Sequence, residues 1–156
     1  MSMATPAILK IDDIEVPEPA TGEVQIGVKA FGINRAEVMF RSHAYLQEAT
    51  FPSRLGYEAA GIVHAVGSSV TGFASGDIVS IVPALDIAHE GTYGEVVNVP
   101  PRLVVKHPEI LSFEEAAAAW MQYVTAWGAF VEQARLGAAD TVIVTAASSS
   151  VGLAAF

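Results

Sequence analysis

The sequence predicts a mostly β, barrel-like module followed by the start of an α/β domain. About six short apolar runs, separated by turns that contain Gly or Pro, occupy residues 7–105 and indicate short strands. From residue 112 onward an alanine-rich stretch and one fully apolar run replace that pattern. With 156 residues, 52 % of them apolar, the chain can bury a sizeable core.

Two strands are predicted before the first helix. Residues 7–11 form a short apolar run, and residues 24–30 alternate apolar and polar side chains, the period expected of a strand with one buried face. Asn34 can cap a helix that ends near Arg41, and Glu37, three positions after Asn34, can complete a capping box. We expect the aperiodic stretch that follows, residues 42–54, to be a loop.

Residues 55–77 combine five glycines with short apolar runs. Gly61 and Gly67 interrupt a predicted strand, which is usually accepted where two backbones approach closely or a strand bends. The glycine-containing turns at Gly67 and Gly76 reverse the chain, so that the next strand covers residues 78–82.

The later elements include two more short strands and one long helical stretch. We expect a loop at residues 83–91 and a strand that is entered through glycines at residues 91–99. A final short strand is predicted at residues 103–105. The run from Ser112 to Glu115 is a second capping box, and the helix that it begins continues to Phe130 with a break near Met121. These elements complete the barrel-like part.

The last segment has the order strand, turn, helix. Residues 141–145 are a fully apolar strand of the kind buried in parallel sheets, residues 146–152 are a small-residue turn, and residues 153–156 begin a helix. Because one strand cannot form a parallel sheet, we expect that a second domain has only begun and that the chain is truncated.

Charge and composition exclude several classes of function. A net charge of −9 without a basic cluster argues against nucleic acid as a partner. No apolar run is long enough to span a membrane, and the first residues lack a signal peptide's pattern, so we expect a cytoplasmic protein without a membrane partner. The absence of cysteine excludes disulfides, thiolate nucleophiles and thiolate metal sites.

The glycine-rich stretch resembles the signature of the medium-chain dehydrogenase/reductase superfamily. The matching positions are Gly56, Glu58, Gly61, Val63, Val66, Gly67 and the run Gly76-Asp77-Ile78-Val79. The resemblance implies a GroES-like (chaperonin-10-like) barrel catalytic domain over residues 1–125, followed by the start of a Rossmann cofactor-binding domain over residues 126–156. It also implies a homodimer for the full-length protein.

Within that superfamily the residues favour the zinc-independent, quinone oxidoreductase-like branch. Zinc-dependent members place a cysteine where residues 34–37 lie, a histidine where Tyr57 lies, and four cysteines in a separate lobe. In the zinc-independent branch a hydride passes from NADPH, or NADH, to a quinone or an activated C=C or C=O substrate. The protein orients the reactants and supplies a polar group for the developing oxyanion.

The resemblance also implies roles for individual residues. Asn34 would lie near the nicotinamide, Thr125 would meet the cofactor with its hydroxyl, and Met121 would line the same cleft. Tyr45 and Tyr57 would donate a hydrogen bond to the substrate oxygen. At the predicted dinucleotide turn only the last glycine of the usual motif remains, so hydroxyl and backbone N–H groups would hold the diphosphate. These groups belong to Ser148, Ser149, Ser150, Val151 and Gly152.

Most of these residues also have a purely structural explanation. Asn34 is equally well explained as a helix cap, Glu37 as its capping partner, and Glu58 as a structural carboxylate hydrogen-bonded between turns. Tyr45 and Tyr57 could be half-buried core residues. The aromatic residues at helical spacing, Trp120, Tyr123 and Trp127, favour core packing over a ring-stacking platform. The four histidines, His43, His64, His89 and His107, lack metal-like spacing and are interpreted as surface or internally satisfied residues.

Two other functions remain open at this point. The β-module could be a non-catalytic binding module, or the chain could belong to a zinc-dependent alcohol dehydrogenase with atypical ligands. For the enzyme hypothesis we expect the 156-residue chain alone to be inactive and to bind NADPH weakly, because most of the predicted cofactor domain is missing.

Overall fold

The computed structural model describes residues 8–46, 48, 50–83 and 86–156. Five strands are found in this part of the chain: β1 Val24–Phe31, β2 Ala59–Val66, β3 Ile78–Ile81, β4 Val96–Val99 and β5 Val104–Lys106. They form one antiparallel sheet in the order β4-β1-β2-β3-β5. The helices are α1 Arg35–Arg41, α2 Ile87–Glu90, α3 Phe113–Ala118, α4 Trp120–Trp127 and α5 Ser150–Ala154.

Glycine allows β1 and β2 to pack closely at the centre of the sheet. Gly61 pairs with Val28, and a Cβ atom added to Gly61 would lie only 2.2 Å from the carbonyl oxygen of Gly27. The β1–β2 ladder has two register shifts, one between Gln25 and Ile26 and one between Val28 and Ala30, and the second lies beside Gly61 and bends the ladder there. The prediction of a bent, glycine-marked strand is therefore confirmed for Gly61, whereas Gly67 follows the end of β2. The core beneath the sheet includes the fully buried side chains of Val24, Ile26, Phe40, Val63, Val79, Ile81, Ile87 and Val99.

Two predictions for the barrel-like part are wrong. Residues 8–11 are irregular, with Ile8 93 % and Ile11 100 % exposed, because no strand in the described part of the chain lies beside them; Ala7 lies outside the described residues. The predicted loop at residues 83–91 contains α2, which anchors the fully buried Ile87 in the core. Residues 84 and 85 of that loop, like residues 47 and 49 of the predicted loop at 42–54, are outside the described residues.

The helical stretch after Ser112 is divided as the sequence predicts. Ser112 and Glu115 form the capping box, and the break falls at Ala119, between α3 and α4. A π-helical turn, Gly128–Gln133, follows α4. None of the helices in the described ranges is both long and apolar enough to cross a bilayer.

The predicted strand at residues 141–145 is not formed. These residues are irregular and mostly exposed, since the described residues provide no neighbouring strand to which their backbone could hydrogen-bond. The strand predicted over residues 91–99 is likewise shorter and covers only β4. The helix predicted at residues 153–156 begins earlier, at Ser150, where α5 starts.

A buried polar pair connects the sheet to α3. The Ser80 hydroxyl lies 2.9 Å from Nδ1 of His107 and 3.3 Å from the carbonyl oxygen of Ala116. Both Ser80 and His107 are buried, and burial lowers the pKa of His107. The prediction of a satisfied histidine holds for Nδ1 alone, because the buried Nε2 has no hydrogen-bond partner among the described residues. His107 remains neutral to lower pH than an exposed imidazole.

This pair gives an expected dependence of stability on pH. The unfolded chain binds a proton at His107 near pH 6.5, whereas the folded chain binds it only at lower pH. The stability from neutral His107 is therefore fully present above about pH 6.5 and is lost progressively as the pH falls from that value through the lower pKa of the folded chain. Urea unfolding at several pH values should show that His107→Gln reduces this loss, whereas His64→Gln, at an exposed site, should leave it unchanged. An identical pH dependence in both variants would contradict the assignment.

Candidate functional site

A polar cleft of about 220 Å³ lies where the loop after β1 meets the helices. Its walls come from the β1–α1 loop, the start of β2, the end of α3, α4 and the start of α5. The lining residues are Gly32, Ile33, Asn34, Glu58, Ala118, Gln122 and Ser150. Segments more than 100 residues apart along the chain therefore meet at one site.

Glu58 connects the elements around this cleft. Its Oε1 accepts a hydrogen bond from Asn34 Nδ2 at 2.9 Å, and its Oε2 accepts one from the backbone N–H of Met121 at 2.7 Å. The side chain is only 2 % exposed. Gly32 leaves room for it, because a Cβ at that position would lie 2.4 Å from Oε1. The structural explanation of Glu58 is confirmed, since the carboxylate joins the sheet, α1 and α4.

Asn34 also contacts a second buried carboxyl group, that of Glu37. The backbone N–H of Asn34 donates to Glu37 Oε2 at 2.5 Å, so Glu37 acts as the predicted capping partner. Glu37 is 3 % exposed, and its Oε1 has no hydrogen-bond partner among the described residues. Burial raises the pKa of Glu37, although the backbone of Asn34 and the nearby Tyr93 hydroxyl partly oppose this effect. Asn34 therefore caps α1 and also contributes its amide to the cleft.

The two tyrosines predicted as substrate contacts lie together but do not line the cleft. Their ring centroids are 6.1 Å apart in an edge-to-face arrangement. Tyr57 is 4 % exposed, and no partner for its buried hydroxyl occurs among the residues that the structure describes. Burial, with a smaller contribution from Tyr45, raises the pKa of Tyr57 above its usual range. Tyr45 is half-buried against the same core.

The residues predicted to hold the cofactor lie on α4 and at the start of α5. Thr125 is exposed and donates from its hydroxyl to the carbonyl oxygen of Met121 at 2.5 Å. Ser149 caps α5 by accepting from the N–H of Gly152 at 3.1 Å. Ser150 lines the cleft. The remaining predicted residues, Ser148 and Val151, flank these positions on the turn and on the first turn of α5.

Sequence reasoning missed one residue of the cleft, Gln122, and a partly buried tyrosine outside its lining, Tyr93. Gln122 lines the cleft from α4, although no motif marks it. Tyr93 lies beside the buried Glu37, and its ring centroid is 4.5 Å from that of Phe31. Burial, followed by the charge of Glu37, raises the pKa of Tyr93 above its usual range. The only sequence signal for Tyr93 was its position between Gly91 and Gly94.

The aromatic residues of α4 do not follow the prediction of core packing. Tyr123 is 55 % and Trp127 60 % exposed. With Trp120 they line an apolar groove of about 370 Å³ between α4, the π-helical turn and α5. Their helical spacing placed them on one face, but no described element covers that face.

No group of three or more potential ligands that could hold a metal ion is found within the described ranges. Three of the four histidines, at positions 43, 64 and 89, are exposed, and the fourth contacts Ser80.

All five strands lie within the segment that identifies the class of protein. A model of the alcohol dehydrogenase GroES-like domain matches residues 20–109, and the chain belongs to that family. More specifically, it belongs to the quinone oxidoreductase-like branch of the medium-chain dehydrogenase/reductase superfamily. The resemblance drawn from the glycine-rich stretch is therefore confirmed.

Three known proteins illustrate the similarity. Human quinone oxidoreductase is 36 % identical over 151 residues, which is 96 % of this chain and 45 % of that protein. An NAD-dependent alcohol dehydrogenase structure matches with a TM-score of 0.87 and 34 % identity, covering 98 % of this chain and 52 % of that one. An Escherichia coli quinone oxidoreductase complexed with NADPH matches with a TM-score of 0.69 and 33 % identity, covering 79 % and 36 %. The chain thus spans about half the length of its curated relatives.

Proposed function

We propose that this chain is the substrate-side part of an NAD(P)H-dependent, zinc-independent oxidoreductase that reduces quinones or activated C=C or C=O bonds. The observation that carries the proposal is the cleft in which Asn34, Glu58 and Ser150 meet from three separate segments. Residues 1–125 would form the catalytic domain, and residues 126–156 would begin the Rossmann domain. Relatives named for quinone reduction and for NADPH or NAD support this assignment.

The residues around the cleft fit the nicotinamide end of such a cofactor. The cleft is polar and of a size suited to one aromatic ring with its amide, and the Asn34 amide lies on its wall. Met121 and Thr125 would contact this end from α4. The hydroxyl and backbone N–H groups of residues 148–152 would hold the diphosphate. The cofactor would supply the hydride.

Zinc independence is proposed from the donor atoms available. The chain has no cysteine, and Tyr57 occupies the place of the histidine ligand. Glu58, the carboxylate of the Gly56-Tyr57-Glu58 triplet, already accepts hydrogen bonds at both oxygens, from Asn34 and from Met121. Activity that survives dialysis against a chelator would support this proposal, whereas one equivalent of zinc whose removal abolishes activity would contradict it.

In the proposed reaction the protein orients the reactants and stabilises negative charge on the substrate oxygen. Glu58 fixes the Asn34 amide and the start of α4 in one geometry, so that the cleft keeps its shape. Tyr45 and Tyr57 remain candidate hydrogen-bond donors to the substrate oxygen, although Tyr57 would need to become accessible first.

The test is substrate-dependent oxidation of NADPH and NADH by the purified full-length protein with quinones, enones and aldehydes. Asn34→Ala removes the hydrogen bond from the Asn34 amide to the Glu58 carboxylate. Because a hydrogen bond to a charged group contributes about 1.5–3 kcal/mol, kcat/KM should fall by about 10-fold or more. Asn98→Ala is the matched control, since its amide bonds the backbone of Pro17 away from the cleft. Absence of any substrate-dependent oxidation would overturn the proposal, and equal losses in both variants would remove Asn34 from the site.

A further inference from the structure

The side chain of Gln122 reaches the polar cleft without a hydrogen-bond partner from the protein. Gln122 is half-buried on α4 and belongs to the lining of the cleft. Among the described residues, no hydrogen bond to its amide group is found. A half-buried amide has lost part of its contact with water, so a polar group that enters the cleft would stabilise it. The cleft therefore offers a donor and an acceptor that the described fold does not use.

The backbone of Gln122 is held in place by its neighbours. The N–H of the preceding residue, Met121, donates to Oε2 of Glu58 at 2.7 Å. Ala126, one turn later on the same face of α4, is only 5 % exposed. Ala118, one turn earlier at the end of α3, also lines the cleft, and its methyl group is too short to cover the amide. The start of α4 is therefore fixed, whereas the Gln122 side chain is open towards the cleft.

The polar side chains that line the cleft are neutral apart from Glu58. Glu58 accepts an N–H donor at each oxygen, so the fold already compensates its charge. The other polar groups are the amides of Asn34 and Gln122 and the hydroxyl of Ser150, and each can both donate and accept a hydrogen bond. None of the described lining residues is positively charged, so an anion would meet Glu58 without a balancing cation. The cleft is therefore complementary to a neutral group that donates and accepts hydrogen bonds.

The size of the cleft limits the ligand further. Its volume of about 220 Å³ is smaller than the roughly 300–1,000 Å³ of pockets that enclose a drug-sized ligand. One ring or one sugar fits, whereas a whole dinucleotide does not. In the nicotinamide nucleoside two kinds of neutral group have the required chemistry, the ring carboxamide and the ribose hydroxyl groups. Both lie at the end of the cofactor that the proposed function assigns to this cleft.

We propose that Gln122 is a cofactor-binding residue whose amide hydrogen-bonds the neutral polar groups of the nicotinamide nucleoside, namely its carboxamide or its ribose hydroxyls. The inference deepens the proposed reductase function and rests on it. Gln122 donates with Nε2–H and accepts with Oε1, so one side chain can bond both polar atoms of a carboxamide or two neighbouring hydroxyls. Glu58 holds the Asn34 amide at 2.9 Å and also holds the start of α4. It thereby fixes the spacing between the two amides of the cleft.

The test measures binding, so it does not depend on turnover. Gln122→Met keeps the length and helix propensity of the side chain but removes the amide. Titration of the full-length protein with NADPH, followed by nucleotide fluorescence, should give a Kd about 10-fold higher than for the wild type, as expected for loss of about one hydrogen bond. Gln133→Met is the matched control, because Gln133 is exposed at the end of the π-helical turn and outside the cleft. Circular dichroism shows whether both variants keep the fold.

The reduced 3-acetylpyridine analogue of NADPH distinguishes the two kinds of group. It keeps the ribose but has a methyl group in place of the carboxamide NH₂. If Gln122 binds the carboxamide, Gln122→Met should weaken binding of the analogue less than binding of NADPH. An equal loss for both nucleotides assigns Gln122 to the ribose.

Three outcomes separate this inference from the reductase function. An unchanged Kd for NADPH in Gln122→Met, or an equal rise in Gln133→Met, would overturn the inference, and turnover of quinones would still leave the reductase function intact. A raised Kd in Gln122→Met alone, without turnover of any quinone, enone or aldehyde, would support the binding role and refute the reductase function. Absence of NADPH binding by the wild type would overturn both.

Discussion

Gly61→Ala should destabilise the protein by about 3 kcal/mol, the upper part of the usual range for overpacking a core. The added Cβ would lie 2.2 Å from the carbonyl oxygen of Gly27 and 3.0 Å from Ile26 Cγ2. Because the nearer atom belongs to the backbone of the paired strand, no side-chain rotation relieves the clash. β1 and β2 must separate, and the hydrogen bonds of the ladder weaken with them.

The control for this change is Gly128→Ala. A Cβ at Gly128 meets no atom within 4 Å, and the backbone there is helical. Alanine should therefore be neutral or stabilise the fold by about 0.5–1 kcal/mol, since it loses less backbone entropy than glycine. Urea unfolding monitored by circular dichroism measures both effects. Equal midpoints for the two variants would show that β1 and β2 do not approach as closely as the structure places them.

Local sequence patterns predicted those parts of the fold that depend on neighbouring residues. The alternation of apolar and polar side chains predicted β1. The capping boxes at residues 34–37 and 112–115 predicted the starts of α1 and α3. The same patterns predicted the wrong secondary structure for segments whose conformation depends on residues distant in the sequence. Residues 141–145 have a strand's composition but no neighbouring strand among the described residues. The short helix α2 depends on burial of Ile87 rather than on a periodic pattern.

The candidate site was predictable only in part for the same reason. Asn34 was recognised through its position relative to a motif, and its two explanations are compatible because the backbone caps α1 while the amide bonds Glu58. The link from Glu58 to Met121 spans 63 positions, and no local pattern encodes such a contact. Gln122 was missed because it lines the cleft only through the packing of α4 in the folded chain.

Glu58→Ala is expected to have the other large effect, because Glu58 is the acceptor for two N–H donors that surround the cleft. Removing the carboxylate leaves the Asn34 amide and the Met121 backbone N–H without this partner. Each unsatisfied donor costs about 1–3 kcal/mol, so a loss of about 2–6 kcal/mol is expected. Hydrogen exchange of the Met121 amide should accelerate more than that of amides within β2, since α4 loses its attachment to the sheet.

Two further variants make this prediction specific. Glu58→Gln keeps the volume but offers one acceptor oxygen to two donors, so its stability should lie between those of the wild type and Glu58→Ala. Glu18→Ala removes an exposed glutamate from an irregular segment and should leave both stability and exchange unchanged. If Glu58→Ala exchanged its Met121 amide at the wild-type rate, the carboxylate would not be what holds α4 against the sheet. The cleft would then depend on packing of α3 and α4 alone.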